Sequence, residues 1–131
     1  MIGLDANILI RYFAQDDPRQ SAIATDVIER RLTEDEPGFV STVALAETIW
    51  VLERSLKLDT NELILTLRLL LGSSNLVIES HREVAFALSI VEEGLGTFAD
   101  ALIGALGASA GCSRTLTFDR GALRLPDFAL P

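Results

Sequence analysis

Short apolar runs that suit buried strands alternate with longer helical patterns along this chain of 131 residues. Strands are predicted at 2–4, 39–41, 76–78 and 115–117, with a short edge strand at 128–130. Helices are predicted at 6–13, 20–32, 43–56 and 60–71, and two more open at Ser80 and Thr97. Such alternation favours a parallel sheet with helices on both faces. We therefore predict a three-layer α/β/α fold with a mostly parallel sheet of four to five strands.

Length and composition set the class of protein. The length suits one domain, predicted to span residues 1–131, and 49% hydrophobic residues support a sizeable core. The mean hydropathy of +0.34 indicates apolar surface covered by a partner. Cys112, the single cysteine, cannot form an internal disulfide and is predicted to be a small buried filler. With no transmembrane run and no basic segment before the first apolar residues, a cytoplasmic location is favoured.

The net charge of −8, from 19 acids and 11 bases, does not attract nucleic acid by bulk electrostatics. Any binding of nucleic acid must therefore depend on a local arrangement of charge. Arg11, Arg114 and Arg120 fall near the sheet edge described next and could pair with phosphate. Ion pairing or surface solubility is the simpler role for any one of them.

Four acids from separate segments are predicted to meet at the carboxyl edge of the sheet, where ligands bind in folds of this class. Asp5 directly follows the first strand, and Asp119 lies just past the fourth. Asp100 lies in the first turn of the helix that leads into that strand, so it starts at the same edge. Glu47 lies in the second turn of the helix after strand two, and helical side chains tilt toward the N-terminus.

Two of these acids lie in apolar surroundings. Asp100 is the only charged residue between Glu93 and Arg114, and Glu47 has apolar residues one turn away on either side. Grouped carboxylates in such surroundings are costly unless a cation compensates their charge. Hard oxygen ligands suit Mg²⁺ or Mn²⁺, and no Cys/His cluster offers a zinc site. Since no Ser-His or Cys-His nucleophile is evident, metal-assisted phosphodiester hydrolysis is the chemistry that fits.

Each acid also has a purely structural explanation. Asp5 could be a helix N-cap, Asp100 could form a capping-box variant with Thr97, and Asp119 could belong to an ordinary turn. Glu47 could be a solvated helix residue. These roles explain each position separately, but they do not explain why four acids fall at one edge.

Other function classes remain open at this point. A phosphatase of the haloacid type would want a second aspartate two residues after Asp5, where this chain has Asn7. A receiver domain would want a lysine after a late strand, and Lys57, the only lysine, lies in a different element. A non-catalytic module that keeps the fold is the third alternative.

Four motifs resemble the PIN-domain family, and more narrowly the toxin subunits of VapBC toxin–antitoxin pairs. They are residues 2–9 (IGLDANIL), 41–52 (STVALAETIWVL), 98–103 (FADALI) and 116–120 (LTFDR). All four occur in the family's order, and the resemblance extends over nearly the whole chain. The resemblance implies a metal-dependent endoribonuclease that uses Mg²⁺ or Mn²⁺, forms a homodimer and is blocked by a VapB-like antitoxin.

The same resemblance assigns roles to individual residues. It implies that Asp5, Glu47, Asp100 and Asp119 are the catalytic and metal-binding acids, with Asp119 the least uniform among relatives. Asn7 and Thr117 would position a ligand or a water molecule.

Three further expectations concern segments outside the acidic motifs. Residues 63–71 are apolar nearly all round, and they are predicted to be either a fully buried core helix or a contact for the second subunit or the antitoxin. Ser80 is predicted to cap a helix, with Glu83 completing a capping box. His81, the only histidine, is expected to be structural.

Overall fold

The helices and strands fall into two units, Met1–Glu79 and Ser80–Pro131, in the computed structural model, which describes every residue from 1 to 131. Each unit carries its own parallel strands, and the predicted α/β class is confirmed in this respect. The extent of a single domain over residues 1–131 stays a prediction.

The first unit contains a three-stranded parallel sheet in the order β1-β2-β3. Its strands are β1 (Ile2–Gly3), β2 (Gly38–Val40) and β3 (Leu76–Ile78). Its helices are α1 (Ala6–Ala14), α2 (Pro18–Asp26), α3 (Thr42–Arg54) and α4 (Thr60–Gly72), and a π-helical turn at Val27–Arg31 follows α2. Gly38 in the central strand lets leucine side chains pack close to its backbone, because a Cβ there would lie 2.7 Å from Leu32 Cδ1 and 2.9 Å from Leu4 Cδ1.

Local sequence signals explain where these helices begin. Asp17 caps α2 and Pro18 occupies its first turn, as predicted from the Asp-Pro pair. The Ser41 hydroxyl accepts a hydrogen bond from Ala44 N at the start of α3. Asp59 and Glu62 form a reciprocal capping box at the start of α4. These caps place the start of α3 immediately after β2.

The core of the first unit lies between its helices and its sheet. Fully buried side chains come from α1, β2, α3 and α4: Leu9, Val40, Leu45, Leu52, Leu67 and Leu70. Helix α4 keeps Leu65 and Leu69 exposed while Leu63 is buried, so this leucine-rich helix is only partly core. Helix α1 packs against both α2 and α3.

The second unit is built on two packed helices, α5 (His81–Glu92) and α6 (Phe98–Ser109). Strands β4 (Thr115–Leu116) and β5 (Phe128–Ala129) pair in parallel and are separated by a 3₁₀ turn at Ala122–Arg124. The five strands therefore hydrogen-bond as a three-stranded and a two-stranded sheet. No helix combines the length and apolar character that crossing a membrane requires.

Three local predictions were wrong. The first strand is not buried, because Ile2 is 44% exposed and only Leu4, which follows the strand, enters the core. Cys112 is exposed, since it lies beyond the end of α6 in the turn that leads to β4. Ser80 makes no side-chain cap, because its backbone is left-handed (φ 56°), whereas a capping residue has an extended backbone. Glu83 instead accepts a hydrogen bond of 2.5 Å from the Ser109 hydroxyl.

Candidate metal centre

Asp5 lies directly after β1 and caps α1. Its Oδ1 accepts a hydrogen bond of 2.7 Å from Ala6 N, and its Oδ2 makes no hydrogen bond. The side chain is exposed. The structural explanation weighed for this residue, a helix N-cap, is therefore correct, and it leaves one carboxylate oxygen available to a ligand.

Glu47 lies in the second turn of α3 on a solvent-exposed face. Its carboxylate makes no hydrogen bond and no ion pair. The neighbours one turn away on this face, Val43 and Trp50, are 77% and 58% exposed. The apolar surroundings predicted for Glu47 are thus present, but they form an exposed surface and not a buried pocket.

The topology of the first unit relates these two acids. Strands β1 and β2 are parallel neighbours, with Gly3 paired to Phe39. Asp5 follows the carboxyl end of the first strand, and Glu47 lies in the helix that follows the second. Because these strands run in the same direction, the helices that follow them, α1 and α3, leave the same edge of this sheet. The two helices also pack against each other.

Glu79 is an acid at this edge that the sequence reasoning missed. It directly follows β3, and its Oε1 accepts a hydrogen bond of 2.8 Å from Thr42 N at the start of α3. The hydrogen bond from this backbone N–H holds the pKa of Glu79 below its ordinary value. Its position directly after a strand, like that of Asp5, was the signal available in the sequence.

Asp100 lies in the first turn of α6. Its backbone N–H donates to Thr97 Oγ1 at 3.2 Å, so the cap predicted at this helix start is confirmed. The half-buried carboxylate of Asp100 makes no hydrogen bond and no ion pair. Capping therefore uses the backbone of Asp100 and leaves its side chain uncommitted.

Asp119 lies in a turn just past β4. Its Oδ1 accepts from Gly121 N at 2.8 Å, and its own N–H donates to Thr117 Oγ1 at 3.0 Å. The chain then returns toward the start of α6, because Leu125 lies against Gly96, two residues before that helix. Thr117 thus orients the backbone at Asp119. Asn7, on the first turn of α1, is exposed.

The donor chemistry of these acids fits a hard divalent cation. Each of the four supplies only oxygen, and none forms an ion pair with a lysine or arginine, unlike Glu36, Asp16 and Asp26, which pair with Met1 N, Arg11 and Arg30. No group of three or more His, Cys, Asp or Glu side chains is assembled in a metal-binding arrangement. Asp5 and Glu47 belong to the first unit, and Asp100 and Asp119 to the second. The convergence of all four therefore stays a prediction.

The arginines considered for phosphate binding differ in their surroundings. Arg11 donates to Asp16 at 3.1 Å and to Gln20 at 2.9 Å, so its guanidinium is committed within the protein. Arg114 and Arg120 are exposed and form no ion pair. His81, at the start of α5, is exposed and interacts within the protein.

A cavity of about 430 Å³ lies in the second unit between α5, α6 and the segment around β5. Its lining includes Phe86, Ile90, Gly104 and Phe128, and none of the four candidate acids. Gly104 lets Phe128 approach, because a Cβ there would lie 2.6 Å from the ring. This cavity is therefore not lined by the candidate metal ligands.

Comparison with known proteins supports the predicted family. None of the curated proteins matches the chain. The family model of the PIN domain matches residues 2–127 and so includes all four acidic motifs. PIN domains share an α/β/α fold and are in general metal-dependent nucleases, so the predicted fold class is confirmed. A match over nearly the whole chain shows that this protein belongs to the PIN domain family.

Proposed function

We propose that this protein is a Mg²⁺- or Mn²⁺-dependent endoribonuclease that acts as the toxin of a VapBC-type toxin–antitoxin pair. The observation that carries the proposal is that the PIN-domain match spans residues 2–127 and includes all four motif acids, whose carboxylates form no ion pair within the protein. Unpaired carboxylates are costly where they crowd together, and a divalent cation is the partner that would relieve this cost.

The proposed roles follow from the oxygen atoms that remain uncommitted. Asp5, Glu47 and Asp100 would hold the cation, and Asp119 would contribute through the oxygen not bonded to Gly121. When bound, the cation supplies electrostatic stabilisation for hydrolysis of a phosphodiester. Thr117 holds the backbone at Asp119, and Asn7 would orient a water molecule or a ligand from the first turn of α1. In-line attack by water with departure of the 3′ oxygen would leave a 5′-phosphate.

The test is cleavage of structured RNAs by the purified protein in Mn²⁺, with and without EDTA. We expect Asp5→Asn and Asp100→Asn each to abolish cleavage while the protein stays folded, as judged by circular dichroism. Asp35→Asn makes the same change of charge at an exposed acid without hydrogen bonds and should cleave like wild type. Equal cleavage by all three variants would show that a contaminant or a different site is responsible.

A second candidate is a PIN-fold binding module without catalytic activity. It is favoured by the lack of any assembled group of three potential metal ligands, and by the hydrogen bonds that occupy one oxygen each of Asp5 and Asp119. It predicts no cleavage under any metal and no change in melting temperature with Mn²⁺. An aspartate-based phosphoryl-transfer domain predicts a beryllofluoride adduct at Asp5, and we expect none.

The toxin assignment also implies that this protein has protein partners. We propose a homodimer and a VapB-like antitoxin, with the exposed leucines of α4 as a contact surface, since Leu65 and Leu69 are 63% and 47% exposed. Expression of the protein alone should arrest growth, and co-expression of a small reading frame from directly upstream of its gene should restore it. Growth unaffected by the protein alone would refute the toxin role but not the nuclease activity.

A further inference from the structure

The second unit contains a cavity of about 430 Å³ that the proposed nuclease chemistry does not use. It lies between α5, α6 and residues 125–128, all of which belong to Ser80–Pro131. Folded domains are close-packed and leave few internal voids larger than a water molecule. Small-molecule sites are typically cavities of roughly 300–1,000 Å³ with mostly apolar walls and a few polar groups. The size of this cavity is therefore that of a ligand site.

Most of the cavity wall is apolar, and two aromatic rings contribute to it. Ile90 is buried, Phe128 is half-buried and Phe86 is 44% exposed. Small residues line the side formed by α6: Ala101, Gly104, Ala105 and Ala108. Apolar walls that remain in contact with water favour a ligand with an apolar body, because binding removes their surface from water.

The charged side chains of the lining favour a positively charged ligand. They are Arg82, Glu83 and Asp127, so two acids against one base leave one net negative charge. Aromatic faces such as those of Phe86 and Phe128 also attract cations. A ligand with an apolar body and one positive charge therefore matches both the wall and its charge.

The two acids of the lining are available as ionised groups. The Ser109 hydroxyl donates a hydrogen bond of 2.5 Å to Glu83, and this bond lowers the pKa of the Glu83 carboxyl below its ordinary value. The Asp127 side chain is exposed and forms no ion pair. Neither acid is neutralised by Arg82, which is also exposed and forms no ion pair.

We propose that this cavity binds a small organic cation, an amine whose aromatic or branched aliphatic body lies against Phe86 and Phe128 and whose ammonium group pairs with Glu83 and Asp127. An anion of the same shape would find only Arg82 as a favourable partner and would be repelled by both acids. The inference goes beyond the proposed nuclease and does not depend on it, since no candidate metal ligand lines the cavity.

The experiment compares three probes that share one apolar body and differ in charge. Phenylbutylamine, phenylbutanol and phenylbutyrate are each titrated at neutral pH into the isotope-labelled full-length protein, and its amide NMR signals are followed. We expect saturable shifts with the amine, with a Kd on the order of millimolar or below. The shifted signals should come from α5, α6 and residues 125–128. The alcohol should bind more weakly than the amine, and the carboxylate should bind most weakly.

A charge variant tests the contribution of Asp127. The backbone at Asp127 is left-handed (φ 68°), a conformation that asparagine also tolerates, so Asp127→Asn should keep the fold. It should raise the Kd of phenylbutylamine by roughly 1.4- to 5-fold, the range for an exposed ion pair, and leave that of phenylbutanol unchanged. Asp35→Asn makes the same change at an exposed acid outside the cavity and should alter neither.

A volume variant tests the cavity itself. Ala105→Leu places a larger apolar side chain in the cavity and should abolish the saturable shifts, whereas Ala22→Leu, on an exposed face of α2, should not. If Ala105→Leu does not fold, the three probes and Asp127→Asn still decide. No saturable shift with the amine, shifts that map to the first unit, or equal binding of all three probes would overturn the proposal.

Discussion

Asp5 combines two roles that substitution can separate, a helix cap and a proposed metal ligand. Its Oδ1 accepts from Ala6 N at 2.7 Å at the start of α1. Asparagine caps about as well as aspartate, whereas alanine loses about 1 kcal/mol. For a chain of 131 residues, 1 kcal/mol corresponds to roughly 4 °C in melting temperature. Without metal, Asp5→Asn should therefore melt within about 1 °C of wild type, and Asp5→Ala about 4 °C lower.

Metal should separate Asp5→Asn from wild type, although the two melt alike without it. A ligand at a hundred times its Kd stabilises the native state by about 2.7 kcal/mol, so wild type should gain roughly 10 °C in saturating Mn²⁺. Asp5→Asn keeps the cap but loses the charged oxygen ligand, so it should gain far less. The assay is differential scanning fluorimetry in EDTA and across a Mn²⁺ titration.

Asp17 offers a matched control, because it caps α2 through a 2.8 Å hydrogen bond from Gln20 N and lies outside the acidic motifs. Asp17→Asn should keep the full response to Mn²⁺, and Asp17→Ala should lose stability with and without metal. A full Mn²⁺ response from Asp5→Asn would refute the assignment of Asp5 as a ligand. A wild-type protein that does not respond at all would refute the metal centre as a whole.

Two further predictions concern the sheet edge and the partner surface. Hydrogen bonding to Thr42 N lowers the pKa of Glu79 in the folded state, so its contribution to stability is complete above the ordinary value of 4.5 and is lost as pH falls through the lower, folded value. Urea unfolding from pH 6 to 3 should therefore show a smaller acid loss of stability for Glu79→Gln than for wild type, and identical profiles would contradict this. The double variant Leu65→Lys, Leu69→Lys should shift a homodimer toward monomer in light scattering, while Ile23→Lys, at an exposed position of α2, should not; an unchanged dimer would place the interface elsewhere.

Much of the local structure could be predicted because its causes lie within a few residues. The Asp17-Pro18 pair starts α2, Thr97 caps α6, and the apolar run 76–78 forms β3 at the predicted positions. Parallel pairing followed from the alternation of elements, which is why Asp5 and Glu47 could be expected after neighbouring strands. Ser80 failed as a cap because a residue type indicates a cap only where the backbone adopts the matching conformation.

Exposure and long-range bonding could not be predicted in the same way. Trp50 and Cys112 occur in apolar stretches, yet both are exposed, because burial depends on whether another element covers that face. The hydrogen bond between Thr42 N and Glu79 joins residues 37 positions apart, and no local sequence pattern predicts such a pair. The candidate acids could be found as residue types in an order, but their hydrogen-bonding states could not.

The sequence by itself therefore determined the family, the class of fold and the starts of most helices, and it supplied the four candidate acids as a prediction, since these depend on motif order and on interactions between near neighbours. Only the tertiary structure decided which carboxylate oxygens are already hydrogen-bonded, which arginines are paired and which aromatic rings face solvent. These properties depend on which distant segments pack together. Packing decides whether a polar group finds a hydrogen-bonding partner and whether an apolar side chain is covered.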